Sequence, residues 1–307
     1  MQIKEIKNGV AVEVSDIDIT NIDKAQADEL LQILKERLVV VFKDQKQCPG
    51  SFTKLIHLMS GSVSNWMQMK WDQYGNDVDT WDRFIDPTTC TDMANYPVQR
   101  VTGKKINNKH TGIFGTGTLD WHANLNGLDR ADGVALRGVE HCENTSTLFL
   151  NTNLAYNDLS PELKQQIENV YAIYEYRPDV WAKGAPEYKH FAQKAKEDTT
   201  YKMWLKQKNA AGVEGLYFYT NNRCDIVSED ETLKQKLKDH LFQDKYIYEH
   251  WWQPGDIVLM DQLLTLHKRT QDDPEILAKR VLHRITFRIS NFKNFVAEAN
   301  QIGVEYV

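Results

Sequence analysis

The stretch WQPGDIVLMDQLLTLH, residues 252–267, carries the strongest fold signal in the chain. Pro254 and Gly255 form a turn signal, and the apolar run IVLM (residues 257–260) is typical of a short strand buried on both faces. The polar pair Asp261–Gln262 follows this run, and His267 comes shortly afterwards. We therefore expect a buried strand over residues 256–260, with a histidine beyond its end.

A second strand pattern, RVLHRITF, covers residues 280–287. Alternation places Arg280 and Arg284 on the same face as Leu282. Two arginines are unusual in a strand that otherwise has a buried composition, because a buried guanidinium needs an acceptor, and a carboxylate matches its planar fork. The sequence leaves two interpretations open: a bound carboxylate, or an edge strand with one face in water.

A second histidine also stands in informative surroundings. His122 lies in LDWHANLNG (residues 119–127), directly after the loop GIFGTGT and at the expected start of a strand. If His122 and His267 each lie beyond a strand, both imidazoles could face one cavity and bind a metal. Spacing alone does not separate this arrangement from structural or surface roles, which are commoner for a histidine.

The rest of the chain predicts further strands and a few helices. The pattern VAVEV (residues 10–14) alternates as a strand does, residues 24–38 have helical apolar spacing, and VVVF (residues 39–42) is a short buried strand. Ser160 and Pro161 begin a helix over residues 160–170. Other strands are expected at residues 133–139, 147–150, 216–219 and 282–289. We predict a mainly β fold with flanking helices (α+β) and a single domain over residues 1–307.

Two segments lack strand signals. Residues 45–118 have no clear period and are interpreted as loops with short helices, of which residues 62–118 would cover a pocket. Residues 184–213 are charged and helix-prone, so we expect a helical insert between strands. NNRCD (residues 221–225) is a second candidate pocket rim, and Trp251 and Trp252 are interpreted as core residues.

Composition excludes several classes of protein. With 37 basic and 43 acidic side chains the net charge is −6, so no nucleic-acid partner is expected. The longest apolar run is only residues 38–42 and the N-terminus has no signal-peptide core, so no membrane association is expected. The four cysteines are scattered, which indicates a reducing compartment such as the cytoplasm.

Taken together, these segments resemble the taurine catabolism/2-oxoglutarate dioxygenase family of non-haem iron(II) oxygenases. WHAN (residues 121–124) resembles the first metal motif of the family, residues 252–267 its strand with the distal histidine, and residues 280–287 its cosubstrate strand. Residues 30–45 and 145–163 are similar to other family segments, so the resemblance covers nearly the whole chain. It implies a double-stranded β-helix (jelly-roll) core with helical and loop insertions, which binds Fe(II), 2-oxoglutarate and O₂.

The resemblance also implies a role for each matching residue. His122 and His267 would be the imidazole ligands of the iron, and Arg280 and Thr147 would bind the far carboxylate of 2-oxoglutarate. Arg284 matches a position that reaches an anionic substrate group in some relatives, and a structural ion pair is the other interpretation of it.

The first metal motif departs from the family pattern of His-x-Asp, because here it is His122-Ala123-Asn124. An amide oxygen is neutral and binds iron more weakly than a carboxylate, so weak metal binding is expected before 2-oxoglutarate arrives. Asn124 itself, or a nearby acid such as Asp120, would complete the ligand set. Asp261 is a candidate acceptor that orients His267 or a neighbouring strand.

The function implied is oxidation of a small-molecule substrate, anionic or amino-acid-like, by hydroxylation with release of succinate and CO₂. Two alternatives follow from the changed motif: a halogenase-like enzyme with a halide beside the iron, or a non-catalytic small-molecule-binding member of the family. The sequence leaves open whether the chain forms a homo-oligomer.

Overall fold

A seven-stranded sheet is the largest element of the fold. The structure, a computed structural model, describes residues 1–45, 49–60, 98–115, 117–124, 132–176, 199–218, 224–271 and 273–289. In spatial order the strands of this sheet are β1 (Gln2–Ile6), β2 (Ala11–Ser15), β3 (Val39–Phe42), β16 (Ile257–Asp261), β8 (Gly133–Glu140), β18 (Val281–Phe287) and β4 (Gln99–Val101). Its strands pair antiparallel except β2 with β3.

A four-stranded antiparallel sheet carries the two histidines of interest. Its spatial order is β15 (Ile247–Trp251), β9 (Ser146–Asn151), β17 (Thr265–Arg269) and β7 (Leu119–His122). Smaller sheets are formed by β11 (Thr199–Trp204), β10 (Tyr171–Tyr176) and β14 (Cys224–Val227), by β12 (Lys206–Lys208) and β13 (Glu214–Leu216), and by β5 (Lys105–Ile106) and β6 (Lys109–His110).

Helices flank the sheets. They are α1 (Lys24–Arg37), α2 (Pro49–Ser60), α3 (Thr152–Asn157), α4 (Pro161–Ile167), α5 (Leu233–Leu241) and α6 (Pro274–Lys279), with a 3₁₀ helix at Asp244–Tyr246. The predicted cap of α4 is present, because the Ser160 side chain accepts the N–H of Leu163 and Pro161 occupies the first turn. Within the described ranges, none of these helices has both the length and the apolar character required to cross a membrane.

Strand β3 shows how the layers pack. Its side chains alternate, so Val39 and Val41 join a core cluster that includes Phe149 of the four-stranded sheet, whereas Val40 and Phe42 join the cluster that contains the apolar residues of α1 and α2. All four residues are fully buried. Burial of each such side chain contributes roughly 1.5–3 kcal/mol. The two larger sheets therefore share one core, and helices cover the outer face of the larger sheet.

Most strand and helix predictions agree with the structure to within a few residues, but two interpretations were wrong. Residues 199–208 were expected to be helical and instead form β11 and β12, because Thr199–Trp204 pairs along the whole of β10. Strand β18 is not an edge strand, since it pairs with β8 on one side and β4 on the other. Its residues are all buried.

Parts of three predicted segments, namely the pocket cover, the helical insert and the pocket rim, lie outside the described residues. These are residues 62–97 of the expected lid, residues 184–198 of the expected insert and residues 221–223 of the expected rim. Within residues 45–118, the described part contains the twelve-residue helix α2 and the short strands β4 to β6. The single-domain organisation remains a prediction.

Candidate active site

The two histidines singled out in the sequence meet across a strand pair. His122 is the last residue of β7 and not the start of a strand, whereas His267 follows β16 as expected and lies in the middle of the next strand, β17. They are direct partners in the antiparallel register of β17 and β7, which puts their side chains on the same face. Their ring centroids are 4.1 Å apart.

The backbone sets the tautomer of His122. Its Nδ1 lies 2.6 Å from the backbone carbonyl of Asp120, which can only accept, so Nδ1 carries the proton and Nε2 presents a lone pair. Burial lowers the pKa of His122 to about 4, and the positive charges of Arg284 and Arg269 act in the same direction. The ring is therefore neutral at pH 7, as a metal ligand must be.

His267 is also neutral. Burial holds its pKa well below the usual value, and neighbouring His122 and Arg284 add to the effect. Its Nδ1 is buried without a hydrogen-bond partner in the described structure, and its Nε2 lies 3.3 Å from Nδ2 of Asn124. A half-turn of the amide places Oδ1 at the same point, so Asn124 can present either a donor or an oxygen ligand there.

Gln262 fixes the backbone of Asn124, a contact that the sequence analysis missed. The N–H of Asn124 donates to Oε1 of the fully buried Gln262 over 2.7 Å. The only sequence signal was a polar residue immediately after a buried strand. The neighbouring Asp261, proposed to orient His267 or a neighbouring strand, accepts the N–H groups of Leu263 and Leu264. It therefore holds the turn between β16 and β17, which agrees with the second of these roles, whereas Nδ1 of His267 has no hydrogen-bond partner in the described structure.

The donor set around the histidines is neutral. In the described ranges, no three His, Cys, Asp or Glu side chains come together as a metal-binding group. Asp120 is not the substitute acid, because its carboxylate accepts from Lys268 and from the N–H of Trp121 on the exposed side of β7. Two imidazoles and one amide remain, and such nitrogen and oxygen donors fit a divalent iron, although without the negative charge of a carboxylate.

Arg280 is a buried cation without an acceptor. It ends α6 immediately before β18, is 1% exposed and has no side-chain hydrogen bond or ion pair with a described residue. Burial and, to a smaller extent, the charge of Arg269 together lower its pKa to about 9. A desolvated guanidinium of this kind is costly unless a ligand supplies the anion.

Thr147 lies on β9, and its hydroxyl oxygen accepts the indole N–H of Trp252 over 2.9 Å. Trp252 is fully buried, as predicted for a core residue, whereas Trp251 is 56% exposed and its core assignment was wrong. The accepted bond occupies the oxygen of Thr147 and leaves its hydroxyl hydrogen available to the pocket.

Two more arginines, Arg284 and Arg269, lie close to Arg280 in the same pocket. Arg284 is buried, donates to the side-chain oxygen of Gln99 and lies 6.0 Å from the ring of Phe114. Arg269, which the sequence analysis missed, donates to the backbone carbonyls of Phe114 and Gly117 and so fixes the loop before β7. Its only sequence signal was a charged residue two positions after His267, on the same strand face.

One cavity of about 460 Å³ brings these side chains together. No acidic residue is among the described residues that line it, which are Val101, Phe114, Leu119, His122, Asn124, Leu136, Thr147, His267, Arg269, Arg280, Leu282 and Arg284. All six side chains predicted for the site are in this set.

Two curated proteins resemble the chain in sequence. Pentalenolactone F synthase of Streptomyces avermitilis is 24% identical over 284 residues, which cover 86% of each chain. The alpha-ketoglutarate-dependent 2,4-dichlorophenoxyacetate dioxygenase of Burkholderia sp. (strain RASC) is 26% identical over 144 residues, 46% of this chain and 47% of that protein.

Solved structures confirm the predicted jelly-roll fold. A taurine dioxygenase from Burkholderia xenovorans superposes with a TM-score of 0.66 at 18% identity, covering 93% of this chain and 88% of that one. AAD-2, in complex with Mn(II) and N-oxalylglycine, gives a TM-score of 0.64 at 17% identity, with coverage of 94% and 98%.

The family comparison covers nearly the whole chain. Residues 2–286 match the taurine catabolism dioxygenase TauD, TfdA family. The chain therefore belongs to this family of 2-oxoglutarate-dependent dioxygenases, which use Fe(II), 2-oxoglutarate and O₂.

Proposed function

We propose that this chain hydroxylates a small, anionic or amino-acid-like substrate and releases succinate and CO₂ from 2-oxoglutarate. The observation that carries the proposal is the buried guanidinium of Arg280, which has no acceptor among the described residues and lies in the same pocket as two neutral imidazoles. A dianionic cosubstrate supplies both the acceptor that Arg280 needs and the negative charge that the ligand set around the histidines lacks.

In this proposal His122, His267 and Asn124 hold the iron. Nε2 of His122 and Nε2 of His267 provide lone pairs, and the amide oxygen of Asn124 provides the third donor after the half-turn described above. Bound iron supplies oxygen activation, and 2-oxoglutarate supplies two electrons as it loses CO₂. The chain keeps both rings neutral, and the carbonyl of Asp120 fixes the direction of the His122 ring.

Arg280 and Thr147 are the proposed anchor for the far carboxylate of 2-oxoglutarate. Arg280 offers a charge-assisted, bidentate pair, and Thr147 offers one hydroxyl donor from the neighbouring sheet. This anchor holds the cosubstrate in one orientation, which leaves its keto-acid end for the metal.

Arg284 is the proposed contact for the substrate anion. It lines the same pocket as Arg280, four residues further along the chain, and its charge lowers the pKa of both His122 and His267. Gln99 and Phe114 hold its guanidinium in place, so part of the cost of ordering it is met before substrate binds. A carboxylate, sulfonate or amino-acid-like group is therefore the favoured substrate feature.

The neutral donor set couples the metal to the cosubstrate. Arg269, Arg280 and Arg284 line the pocket and no described lining residue is acidic, so a divalent cation alone meets a positive surrounding. The dianion of 2-oxoglutarate offsets part of that positive charge. We expect Fe(II) to bind weakly alone and much more tightly with 2-oxoglutarate.

Anaerobic titration with Fe(II) and 2-oxoglutarate tests the proposal. We expect the weak visible metal-to-ligand charge-transfer band to form only when both are present, and succinate to appear after O₂ is admitted. Absence of both band and binding would contradict the enzymatic role. A product that depends on chloride would favour halogenation, although the position of Asn124 beside Nε2 of His267 supports an amide ligand over a halide.

Cysteine chemistry supports a cytoplasmic location for this reaction. The described Cys142 is a buried free thiol, and burial raises its pKa to about 11, so it is unreactive as a thiolate at neutral pH.

A further inference from the structure

We infer that Trp252 is a positioning residue for the cosubstrate, because its indole N–H fixes Thr147 as a hydrogen-bond donor to the pocket. The inference rests on the proposed role of Thr147 in binding 2-oxoglutarate. It concerns a side chain that is absent from the lining of the pocket and therefore acts through Thr147.

The direction of the hydrogen bond is set by chemistry. An indole Nε1 can only donate, so the oxygen of Thr147, 2.9 Å away, must accept. The hydroxyl hydrogen of Thr147 is then left for a different acceptor, and no described residue accepts it. A threonine hydroxyl alone can donate or accept, whereas the partnered hydroxyl of Thr147 is biased towards donation.

Trp252 is itself held firmly. Its backbone N–H donates to the carbonyl of Thr145 over 3.0 Å, and its ring meets the ring of His250 edge to face at 4.5 Å. His250 is fixed in turn, since Nδ1 lies 2.9 Å from the hydroxyl of Tyr248 and Nε2 lies 3.2 Å from Asp256. The indole therefore has little freedom to leave Thr147.

The donor hydroxyl of Thr147 acts together with the guanidinium of Arg280. Arg280 is a pure donor without an acceptor in the described structure, and Thr147 presents a second donor from the opposite sheet. Two fixed donors select an acceptor-only group such as a carboxylate. Without the indole N–H, the oxygen of Thr147 would lose its donor, and its hydroxyl would be free to turn away from the carboxylate.

The test compares two ligands that differ only in the far carboxylate. Binding of 2-oxoglutarate and of 2-oxobutyrate is measured anaerobically in the presence of Mn(II), for the wild-type chain and for Trp252→Phe. We expect about tenfold weaker binding of 2-oxoglutarate by the variant, the usual scale for a hydrogen bond to a charged group. Binding of 2-oxobutyrate should change by less than about twofold on the same scale.

A double-mutant cycle separates positioning from packing. If Trp252 acts through Thr147, Trp252→Phe causes no additional loss of 2-oxoglutarate affinity in a Thr147→Val background. Additive losses, or an equal loss for both keto acids, would overturn the inference. Unchanged affinity in Trp252→Phe would overturn it while leaving the proposed function intact, whereas a wild-type chain that does not bind 2-oxoglutarate would overturn both.

A second measurement applies if Trp252→Phe does not fold. In ¹H–¹⁵N spectra, Thr147→Val should move one buried indole N–H resonance upfield. Addition of 2-oxoglutarate with Mg²⁺ should move the same resonance in the wild-type chain but not in the variant. An indole resonance that responds equally in both chains would contradict the role of Thr147 as the link.

Discussion

Two buried histidines in the four-stranded sheet, one on each side of β9, have very different surroundings. His250 on β15 pairs with Thr147, and His267 on β17 pairs with Phe149, two positions further along β9. His250 is 0% exposed and His267 is 8% exposed. Nδ1 of His250 lies 2.9 Å from the hydroxyl of Tyr248 and its Nε2 lies 3.2 Å from Asp256, whereas Nδ1 of His267 has no hydrogen-bond partner in the described structure. Both histidines are buried, and they differ in that a carboxylate lies beside His250, whereas no acidic residue is among the described residues that line the pocket of His267.

The carboxylates near these two histidines differ as well, because the pKa of one is lowered and the pKa of the other is raised. Burial acts to raise the pKa of Asp256, but hydrogen bonds from His250 and Lys43 outweigh it and hold the pKa below its usual value. Asp261, at the turn before β17, has only neutral donors, and burial raises its pKa to about 7. A carboxylate, a lysine and a hydroxyl lie around His250, whereas the described lining of the pocket that holds His267 has three arginines and no acidic residue.

Removing the unpaired arginine should have the largest effect on this contrast. We expect Arg280→Met to weaken 2-oxoglutarate binding by at least about 2 kcal/mol, roughly 30-fold, because the carboxylate loses its charged partner. The ligand-free chain should unfold at an equal or higher urea concentration, since the substitution removes a buried charge that has no acceptor. Anaerobic titration and urea unfolding measure the two quantities.

The matched control for this substitution is Arg37→Met, which removes an exposed arginine paired with Glu5 at 3.2 Å. It should change neither quantity by more than a few tenths of a kcal/mol. If 2-oxoglutarate affinity is the same in Arg280→Met as in the wild type, Arg280 is not the anchor.

Removing the carboxylate beside His250 should have the opposite effect, namely a loss of stability. Asp256→Asn leaves His250 and Lys43 without their carboxylate, so we expect the free energy of unfolding to fall by about 2 kcal/mol. Affinity for Fe(II) in the absence of 2-oxoglutarate should stay the same. Asp28→Asn, which breaks the exposed pair with Lys24, is the control and should cost less than about 0.5 kcal/mol. Equal losses in the two variants would show that the cluster around Asp256 is not a stabilising one.

Restoring a carboxylate beside His267 should reduce the difference between the two sites. We expect Asn124→Asp to tighten Fe(II) binding in the absence of 2-oxoglutarate by about tenfold, or about 1.4 kcal/mol, because an anionic oxygen replaces a neutral one. Equilibrium dialysis under anaerobic conditions measures this. Asn144→Asp, in an exposed turn, is the control. Looser binding in Asn124→Asp would mean that residue 124 does not face the metal.

The smallest expected effect is a pH dependence that arises from Asp261. Its pKa of about 7 in the folded chain exceeds the unfolded value of about 3.9, so between these pH values the folded chain keeps a proton that the unfolded chain releases. The free energy of unfolding should therefore fall as pH rises through this window, by about 1 kcal/mol between pH 6 and pH 7 from this residue. Urea unfolding at both pH values, in the wild type and in Asp261→Asn, isolates the contribution. The same pH dependence in both chains would assign it to another group.

The sequence was sufficient for the parts of the fold that local patterns specify. Strands such as β3 and β16 are short apolar runs between polar stops, and α4 has its serine cap and proline. Residues 199–208 were misassigned because Lys206 and Lys208 favour a helix in isolation. In the structure they form ion pairs with Glu168 and Glu214, and the register with neighbouring strands outweighs local propensity.

The candidate site was predicted only where a motif marked it. The two histidines and Arg280 lie in recognisable segments, so their convergence followed from the resemblance. The contacts of Gln262 with Asn124 and of Trp252 with Thr147 join residues more than one hundred positions apart. No local period encodes such pairs, because they depend on which strands become neighbours in the sheets. The same reason explains why Asp120 could not be excluded as a ligand until its orientation on β7 was known.

The position of β18 has a consequence for how the enzyme is made. It is the last strand along the described chain, yet it lies inside the large sheet between β8 and β4 and is continuous with the arginine anchor. A nascent chain that ends before residue 280 leaves the facing edges of β8 and β4 without this strand, and such open edges promote aggregation. Synthesis of β18 therefore fills the gap between β8 and β4 and brings Arg284 into the pocket in one step, so we expect a chain truncated before residue 280 to be neither stably folded nor active.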